Sequence, residues 1–169
     1  PLVGNWAHSG RELISFTRSA VRNPSFYSRP GLTWPLRAQT FCPQILPSGT
    51  IFSTRGSAIF SPDPLLFLGL FSSRVVDVLL RLLSGTHGSP QYDMGDISLL
   101  PIPAICSKNS LALRNFAKRG WSLQRTLDTV EETSHAFCLP YALRDRLGEY
   151  DPPRIKAELA EIQAEIDHI

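Results

Sequence analysis

The sequence pattern changes near residue 60, and this change constrains the fold more than any other feature of the chain. In residues 1–60, short apolar stretches alternate with turn signals such as Asn23-Pro24 and Pro47-Ser48-Gly49. This alternation is typical of short strands joined by structured loops. We predict strands at residues 32–39, 50–53 and 58–60. Since the rest of the chain has mainly helical patterns, we predict an α+β fold.

The first helical signals surround a strongly apolar stretch. Residues 65–71 are almost entirely apolar and are predicted to form a buried helix or strand. Ser73 is a favourable N-cap for a second helix over residues 74–83, and Gly85 is expected to end that helix. Because most faces of the second helix are apolar, we expect it to lie deep in the core.

An extended segment and further helices follow. Two prolines suit an extended edge segment over residues 97–105. Helices are then predicted at residues 109–118, at residues 122–136, and from Pro140 to near Gly148. We divide the chain into a β-rich part over residues 1–106 and a helical extension over residues 107–169.

The last helix has the clearest start signal in the chain. An acidic N-cap is followed by two prolines in Asp151-Pro152-Pro153, as expected for a first helical turn. Apolar residues then recur at spacings of 4, 3, 4 and 3, which is typical of a coiled-coil seam. They are Ile155, Leu159, Ile162, Ile166 and Ile169. We predict that this seam packs against another helix, in this chain or in a partner.

Composition excludes several classes of protein. Apolar residues make up 43% of the chain and charged residues 19%, which is typical of a globular rather than a disordered protein. The longest apolar run, Pro64–Phe71, is far shorter than the roughly 20 residues of a membrane span. Three widely spaced cysteines, Cys42, Cys106 and Cys138, give neither a disulfide framework nor a zinc spacing. We therefore expect buried, reduced thiols in a cytoplasmic protein.

No motif for catalysis is found in the sequence. It has no glycine-rich phosphate loop, no Gly-x-Ser-x-Gly and no His-Glu-x-x-His, and its four scattered histidines predict no metal site. Residues 151–154 superficially resemble the Asp/Asn-Pro-Pro-Tyr loop of amino-methyltransferases, but Arg154 replaces the aromatic residue. Since the chain begins with Pro1, we expect a non-catalytic part of a longer polypeptide.

Charge is distributed unevenly along the chain. Residues 1–60 contain six arginines and one acid (+5), residues 61–120 six bases and four acids (+2), and residues 121–169 five bases and ten acids (−5). Arginine binds planar acceptors such as phosphates and guanine edges better than lysine does. The first stretch is therefore the candidate for contact with a polyanion. The alternative interpretation is that these arginines are solvated surface residues without a binding role.

Four phrases of the sequence are more specific than its composition. They are YSRPGLTW at residues 27–34, LPSGTIF at 46–52, LGLFSSR at 68–74, and YDMGDI with LPIP at 92–103. In this order and spacing they resemble the carboxy-terminal region of PglX-type adenine-specific DNA methyltransferases of BREX phage-defence systems. More loosely, they are similar to type IIG restriction–modification enzymes with a TaqI-like specificity domain. The resemblance covers residues 5–105.

The resemblance implies a role and a set of partners. In that family the amino-terminal part holds S-adenosylmethionine and transfers the methyl group, and the carboxy-terminal part selects the DNA sequence. The resemblance thus implies that this chain is the target-recognition part. It would bind double-stranded DNA, hold no cofactor of its own, and contact the methyltransferase domain of the parent chain.

The candidate DNA-contact residues lie in the β-rich part. They are Arg29, Arg37, Arg55, Thr33 and Gln39. Each arginine is beside a glycine, a proline or a polar turn, where a side chain can project from a rigid scaffold. The loop over residues 86–91 is a second candidate contact. The alternative function is a protein–protein interaction module that docks a defence-system subunit through the seam of the last helix.

Overall fold

Three short strands and seven α-helices are found in the residues that the structure describes. This computed structural model describes residues 5–53, 56–85, 90–148 and 150–169. The strands are β1 (Gly31–Thr33), β2 (Gln44–Leu46) and β3 (Ala58–Ile59). The helices are α1 (Ala7–Ser15), α2 (Pro64–Phe71), α3 (Arg74–Ser84), α4 (Met94–Ser98), α5 (Ser107–Leu127), α6 (Tyr141–Arg146) and α7 (Pro152–His168), with 3₁₀ turns at Pro24–Phe26 and Asp128–Val130. The predicted α+β class is confirmed.

The three strands form one antiparallel sheet with β1 at its centre. The order is β2-β1-β3, and Leu32 pairs with both Ile45 and Ile59. The predicted strand at residues 58–60 is confirmed as β3. The predicted strand at residues 32–39 is wrong beyond Thr33, because Trp34 turns into the core and the following proline cannot donate to a strand ladder.

The second predicted strand is also misplaced. Within residues 50–53 only Ser53 pairs, in an isolated bridge with Gly56. The strand that does flank β1 is β2, and the sequence analysis did not predict it. β2 lies between Pro43 and Pro47, and Pro47 had been interpreted as part of a turn signal. Short strands bounded by proline are easily missed for this reason.

The main core lies between β1 and the helices α2, α3 and α4. Its most deeply buried side chains are Leu32, Trp34, Leu80 and Tyr92, each at most 2% exposed. Phe71 of α2 and residues from α4 and α5 complete the same cluster. Since α5 contributes to this core, the two parts divided at residue 106 are packed together, and the division itself stays a prediction.

The predicted N-cap of α3 is confirmed, and α2 also begins with a capping side chain, which the sequence analysis did not predict. The Asp63 carboxylate accepts a hydrogen bond from the Leu66 N–H, and Ser73 Oγ accepts one from the Val76 N–H. Gly85 ends α3 in the left-handed region, at φ 58°. Glycine adopts this conformation without the steric cost that a Cβ atom brings.

The predicted deep burial of α3 is wrong. Only one narrow stripe of the helix, through Val76 and Leu80, is buried. Four other apolar side chains of the helix are 42–73% exposed: Val75, Val78, Leu82 and Leu83. The helix therefore covers the core with one face and leaves an apolar face towards solvent.

Two further predictions of secondary structure need correction. Residues 97–105 do not form an extended edge, because α4 includes Ile97 and the following residues do not join the sheet. The separate helices predicted at residues 109–118 and 122–136 are largely one helix, α5. Gly120 does not break α5, and a Cβ atom there would lie 3.7 Å from Ile162 of α7. Helix packing thus outweighs the weak helix propensity of glycine.

The predicted seam of α7 is confirmed at Ile162 and Ile166, which pack against α5 of the same chain. It is wrong at Ile169, which follows the end of the helix and is 45% exposed. Asp151 caps the helix by accepting a hydrogen bond from the Arg154 N–H. Ile162 and Ile166 are each 6% exposed and cluster with Leu113 of α5. The Arg119 guanidinium and the Glu158 carboxylate join the same two helices at 2.6 Å.

The cysteines differ from expectation in their burial. Cys42, Cys106 and Cys138 are free thiols, as predicted, but all three are exposed. Each lies in a segment outside the helices and strands, where little of the chain covers a side chain. The usual preference of cysteine for the interior therefore misled the sequence analysis.

Candidate nucleic-acid interface

The loop that carries Arg37 and Gln39 is fixed to the core at both ends. At its start, the Trp34 indole N–H donates a 2.9 Å hydrogen bond to the Tyr92 carbonyl. At its end, the Phe41 N–H donates a 2.7 Å hydrogen bond to the Asp77 carboxylate. A loop held in this way presents exposed side chains from a rigid base, as recognition requires.

Asp77 of α3 is the hub of this attachment. Besides the Phe41 N–H, its carboxylate accepts hydrogen bonds from the Tyr92 hydroxyl and from the Arg81 guanidinium, each at 2.9 Å. Arg81 also donates to the Gln39 carbonyl. Four hydrogen bonds thus tie helix α3, Tyr92 and the loop together.

The charges of this hub shift two pKa values. Burial raises the pKa of the Asp77 carboxyl, but the hydrogen bonds from Phe41, Arg81 and Tyr92 outweigh burial and hold the pKa below its usual value. Burial, followed by the hydrogen bond to Asp77, raises the pKa of Tyr92 to about 12. At neutral pH the hub therefore contains an ionised carboxylate and a neutral phenol.

Arg37 is exposed, and a neutral side chain orients it. Its Nε and Nη2 atoms donate to the Gln91 side-chain oxygen at 3.2 and 3.1 Å. The Gln91 amide nitrogen in turn donates to the Asp93 carboxylate at 2.8 Å. A carboxamide fixes the guanidinium plane without cancelling its charge, so Arg37 keeps its attraction for an anion.

The remaining candidates have different environments. Arg29 is exposed, and its guanidinium lies 5.2 Å from the ring centre of Phe26, within the range of a cation–π contact. The Thr33 hydroxyl donates a 2.9 Å hydrogen bond to the Ser57 carbonyl, which joins β1 to the chain entering β3. Gln39 is exposed, and Arg55 lies outside the described residues.

The structure therefore brings some of the candidates together and separates others. Arg37 and Gln39 share the loop held by Asp77, whereas Arg29 and Thr33 flank and end β1. Of the loop predicted as a second contact, residues 86–89 lie outside the described residues. Its last member, Gln91, is the residue that orients Arg37.

The sequence analysis missed the positioning residues Asp77 and Tyr92. Asp77 is the one acid in the apolar helix α3, and an isolated acid among aliphatic residues is the signal that could have drawn attention to it. Tyr92 is 15 positions further along the chain. A pair at that separation shows no local pattern, so only the folded chain identifies it.

Ion pairs with carboxylates are more frequent among the arginines after residue 60 than among those before it. Four of the eight later arginines pair with carboxylates: Arg74 with Asp167, Arg81 with Asp77, Arg114 with Asp63 and Arg119 with Glu158. The other four, Arg125, Arg144, Arg146 and Arg154, have no carboxylate partner among the described residues. Five arginines before residue 60 are exposed and have no carboxylate partner within the described part of the chain: Arg11, Arg18, Arg22, Arg29 and Arg37. The excess of positive charge is greatest over residues 1–60, where the sequence has six arginines and one acid.

The described residues contain neither a metal-binding cluster nor a membrane-spanning helix. In the described ranges, no group of three or more histidine, cysteine or acidic side chains is arranged to hold a metal ion. Among those same residues, every helix is too short or too polar to cross a lipid bilayer.

Comparison with known proteins does not assign the chain to a family. No model of a protein family matches it, and no curated protein is significantly similar to it.

Proposed function

We propose that this chain recognises double-stranded DNA as the target-recognition part of an adenine-specific DNA methyltransferase. The observation that carries the proposal is the excess of positive charge in residues 1–60, where five exposed arginines have no carboxylate partner among the described residues. A polyanion is the natural partner of such a surface, because phosphates gain from arginine contacts that no internal acid competes for. We take the polyanion to be double-stranded DNA because residues 5–105 resemble PglX-type enzymes.

The proposal divides the work of recognition between side chains. Phosphate contacts fix the register of a protein on the duplex, and contacts with base edges select the sequence. Arg29 lies in a turn before β1 and is assigned to phosphate. Arg37, whose plane Gln91 fixes, is assigned to a base edge, because a bidentate contact with guanine requires a defined guanidinium orientation. S-adenosylmethionine would bind to the methyltransferase part of the parent enzyme.

The alternative is a protein–protein interaction module that docks a defence-system subunit through the seam of α7. That seam is buried against α5 in this chain. A partner would have to displace α5 or use another surface. This packing favours the DNA proposal over the alternative.

The test is a salt titration of duplex binding, measured by fluorescence anisotropy with a random-sequence duplex. We expect the affinity to fall with salt, with a log–log slope of about −0.9 for each phosphate neutralised. The Arg37→Ala variant is then compared with Arg154→Ala on random duplexes and on duplexes enriched by selection. Arg154 is the matched control, since it is also exposed but lies in the acidic tail.

The outcomes separate the two assignments of Arg37. Contact with a guanine edge predicts a loss of roughly 1–3 kcal/mol on the enriched duplexes and little change on random ones. Contact with a phosphate predicts equal weakening on all duplexes and a slope smaller by about one. The proposal fails if the unmodified 169-residue chain shows no salt-dependent affinity for duplex DNA. It also fails if Arg154→Ala loses binding while Arg37→Ala does not.

A further inference from the structure

A small cleft lies on the amino-terminal part, lined by residues that were not among the predicted contacts. Its volume is about 180 Å³, enough for a group several times the size of a water molecule. It is lined by residues of the 20–27 segment, by residues 52, 53, 57 and 58, and by Met94. We name it the amino-terminal cleft.

The side chains that line the amino-terminal cleft are rich in hydrogen-bond donors. Arg22 contributes a guanidinium, Asn23 a carboxamide, Tyr27 a phenol and Ser57 a hydroxyl. Within the described ranges, these four side chains form no hydrogen bond or ion pair with other residues. The cleft therefore contains donors that the fold itself does not use.

The charge of the cleft is positive. Arg22 lines it, and no aspartate or glutamate does. Arg22 also belongs to the exposed arginines that have no carboxylate partner. An anion that enters the cleft would meet a positive charge without a competing acid, which favours an oxyanion over a neutral or cationic ligand.

Packing around the cleft fixes the position of its donors. The Tyr27 ring lies between Trp6 and Phe52, at 4.8 and 5.0 Å between ring centres. The Ser57 carbonyl is held by the Thr33 hydroxyl. Two of the donors are therefore attached to rigid surroundings, so that a ligand loses little entropy in ordering them.

We infer that the amino-terminal cleft binds a phosphate group. Arg22 supplies the charge-assisted hydrogen bonds, and Tyr27 and Ser57 supply neutral ones. The inference rests on the proposed function where the phosphate belongs to duplex DNA. The same chemistry suits free phosphate, and the experiment distinguishes the two sources.

The experiment follows backbone amides by two-dimensional NMR while inorganic phosphate, and separately a short duplex, is added. We expect phosphate and the duplex each to change the amide chemical shifts of residues that line the cleft, and we expect these changes to saturate. Arg22→Ala should weaken phosphate binding at least about tenfold, and Tyr27→Phe roughly threefold to tenfold. Arg18→Ala is the matched control, since Arg18 is exposed and unpaired but does not line the cleft, and it should bind phosphate as the parent does.

Each result decides between this inference and the proposed function. If phosphate shifts no cleft amide, or if Arg22→Ala binds it as the parent does, the cleft is not a phosphate site. A salt-dependent affinity for duplex DNA would in that case leave the proposed function standing. If phosphate binds in the cleft but the duplex does not bind the chain, the inference stands with free phosphate as its ligand, and the proposed function fails.

Discussion

The Tyr92 hydroxyl offers the most direct test of the hub at Asp77, which holds the loop that carries Arg37 and Gln39. Tyr92 is 1% exposed, and its hydroxyl donates a 2.9 Å hydrogen bond to the Asp77 carboxylate. Tyr92→Phe removes this bond and keeps the buried ring. A hydrogen bond to a charged group contributes about 1.5–3 kcal/mol, so we expect the free energy of unfolding to fall by about that amount.

The raised pKa of Tyr92 predicts a separate effect, a loss of stability at alkaline pH. Its rise from 10.0 to about 12 corresponds to about 2.7 kcal/mol. Burial is the largest cause of the rise, so the hydrogen bond accounts for only part of this figure. A folded-state pKa raised above the unfolded one stabilises the fold fully below the unfolded pKa. That stabilisation is lost as pH rises from 10.0 through about 12.

Urea denaturation at several pH values measures both effects. At neutral pH, Tyr92→Phe should unfold at lower urea than the parent. Between pH 10.0 and 12 the parent should lose stability more steeply than the variant, because only the parent has the Tyr92 hydroxyl to ionise. Tyr150 ionises in both proteins and cancels in the comparison. Tyr141→Phe is the control, because Tyr141 is 52% exposed. This substitution should change the unfolding free energy by less than about 0.5 kcal/mol.

Either of two results would refute this reasoning. One is a cost of Tyr92→Phe that is no larger than the cost of Tyr141→Phe. The other is a variant whose alkaline loss of stability follows that of the parent. In both cases the hydroxyl would not be bonded to Asp77, and another contact would have to hold the loop that carries Arg37 and Gln39.

Two further predictions concern the packing of α5. Ile162→Ala should destabilise the fold by roughly 2–5 kcal/mol, as large-to-small changes in a core do, whereas Ile169→Ala, at a side chain 45% exposed, should change the urea midpoint little. In α2, a Cβ atom on Gly69 would lie 2.8 Å from the Leu113 carbonyl oxygen, so Gly69→Ala should destabilise by up to about 2 kcal/mol after its gain in helix propensity. A Cβ atom on Gly95 in α4 would meet nothing within 4 Å, so Gly95→Ala should raise the melting temperature slightly. Equal effects of the two glycine variants would contradict the close α2–α5 contact.

Local chemistry made several elements of the fold predictable. Ser73 and Asp151 cap α3 and α7 where the sequence indicates, because a capping side chain acts within three residues of itself. The α7 seam was predictable because its apolar residues recur at spacings of four and three along the sequence. These signals need no knowledge of the tertiary fold.

Contacts between distant residues could not be predicted in this way. The apolar residues of α3 predicted burial on most faces, but only the neighbouring elements decide which stripe is covered. Gly120 has a weak helix propensity, and its place inside α5 is explained only by the packing of α7 against it. In the candidate interface, Arg37 meets Gln91 at a separation of 54 residues. The arginine was predictable as a candidate, but the side chain that orients it was not.

The pairing of the arginines limits how the chain can respond to salt. Arginines already bonded to a carboxylate contribute little to counterion release, because a phosphate would have to displace the internal acid first. We propose the six arginines of residues 1–60 as the source of the phosphate contacts. Six contacts would give a log–log slope of about −5. A slope much steeper than this would require contacts from bases after residue 60. The salt slope of the unmodified chain therefore tests the proposed place of the DNA contacts before any residue is replaced.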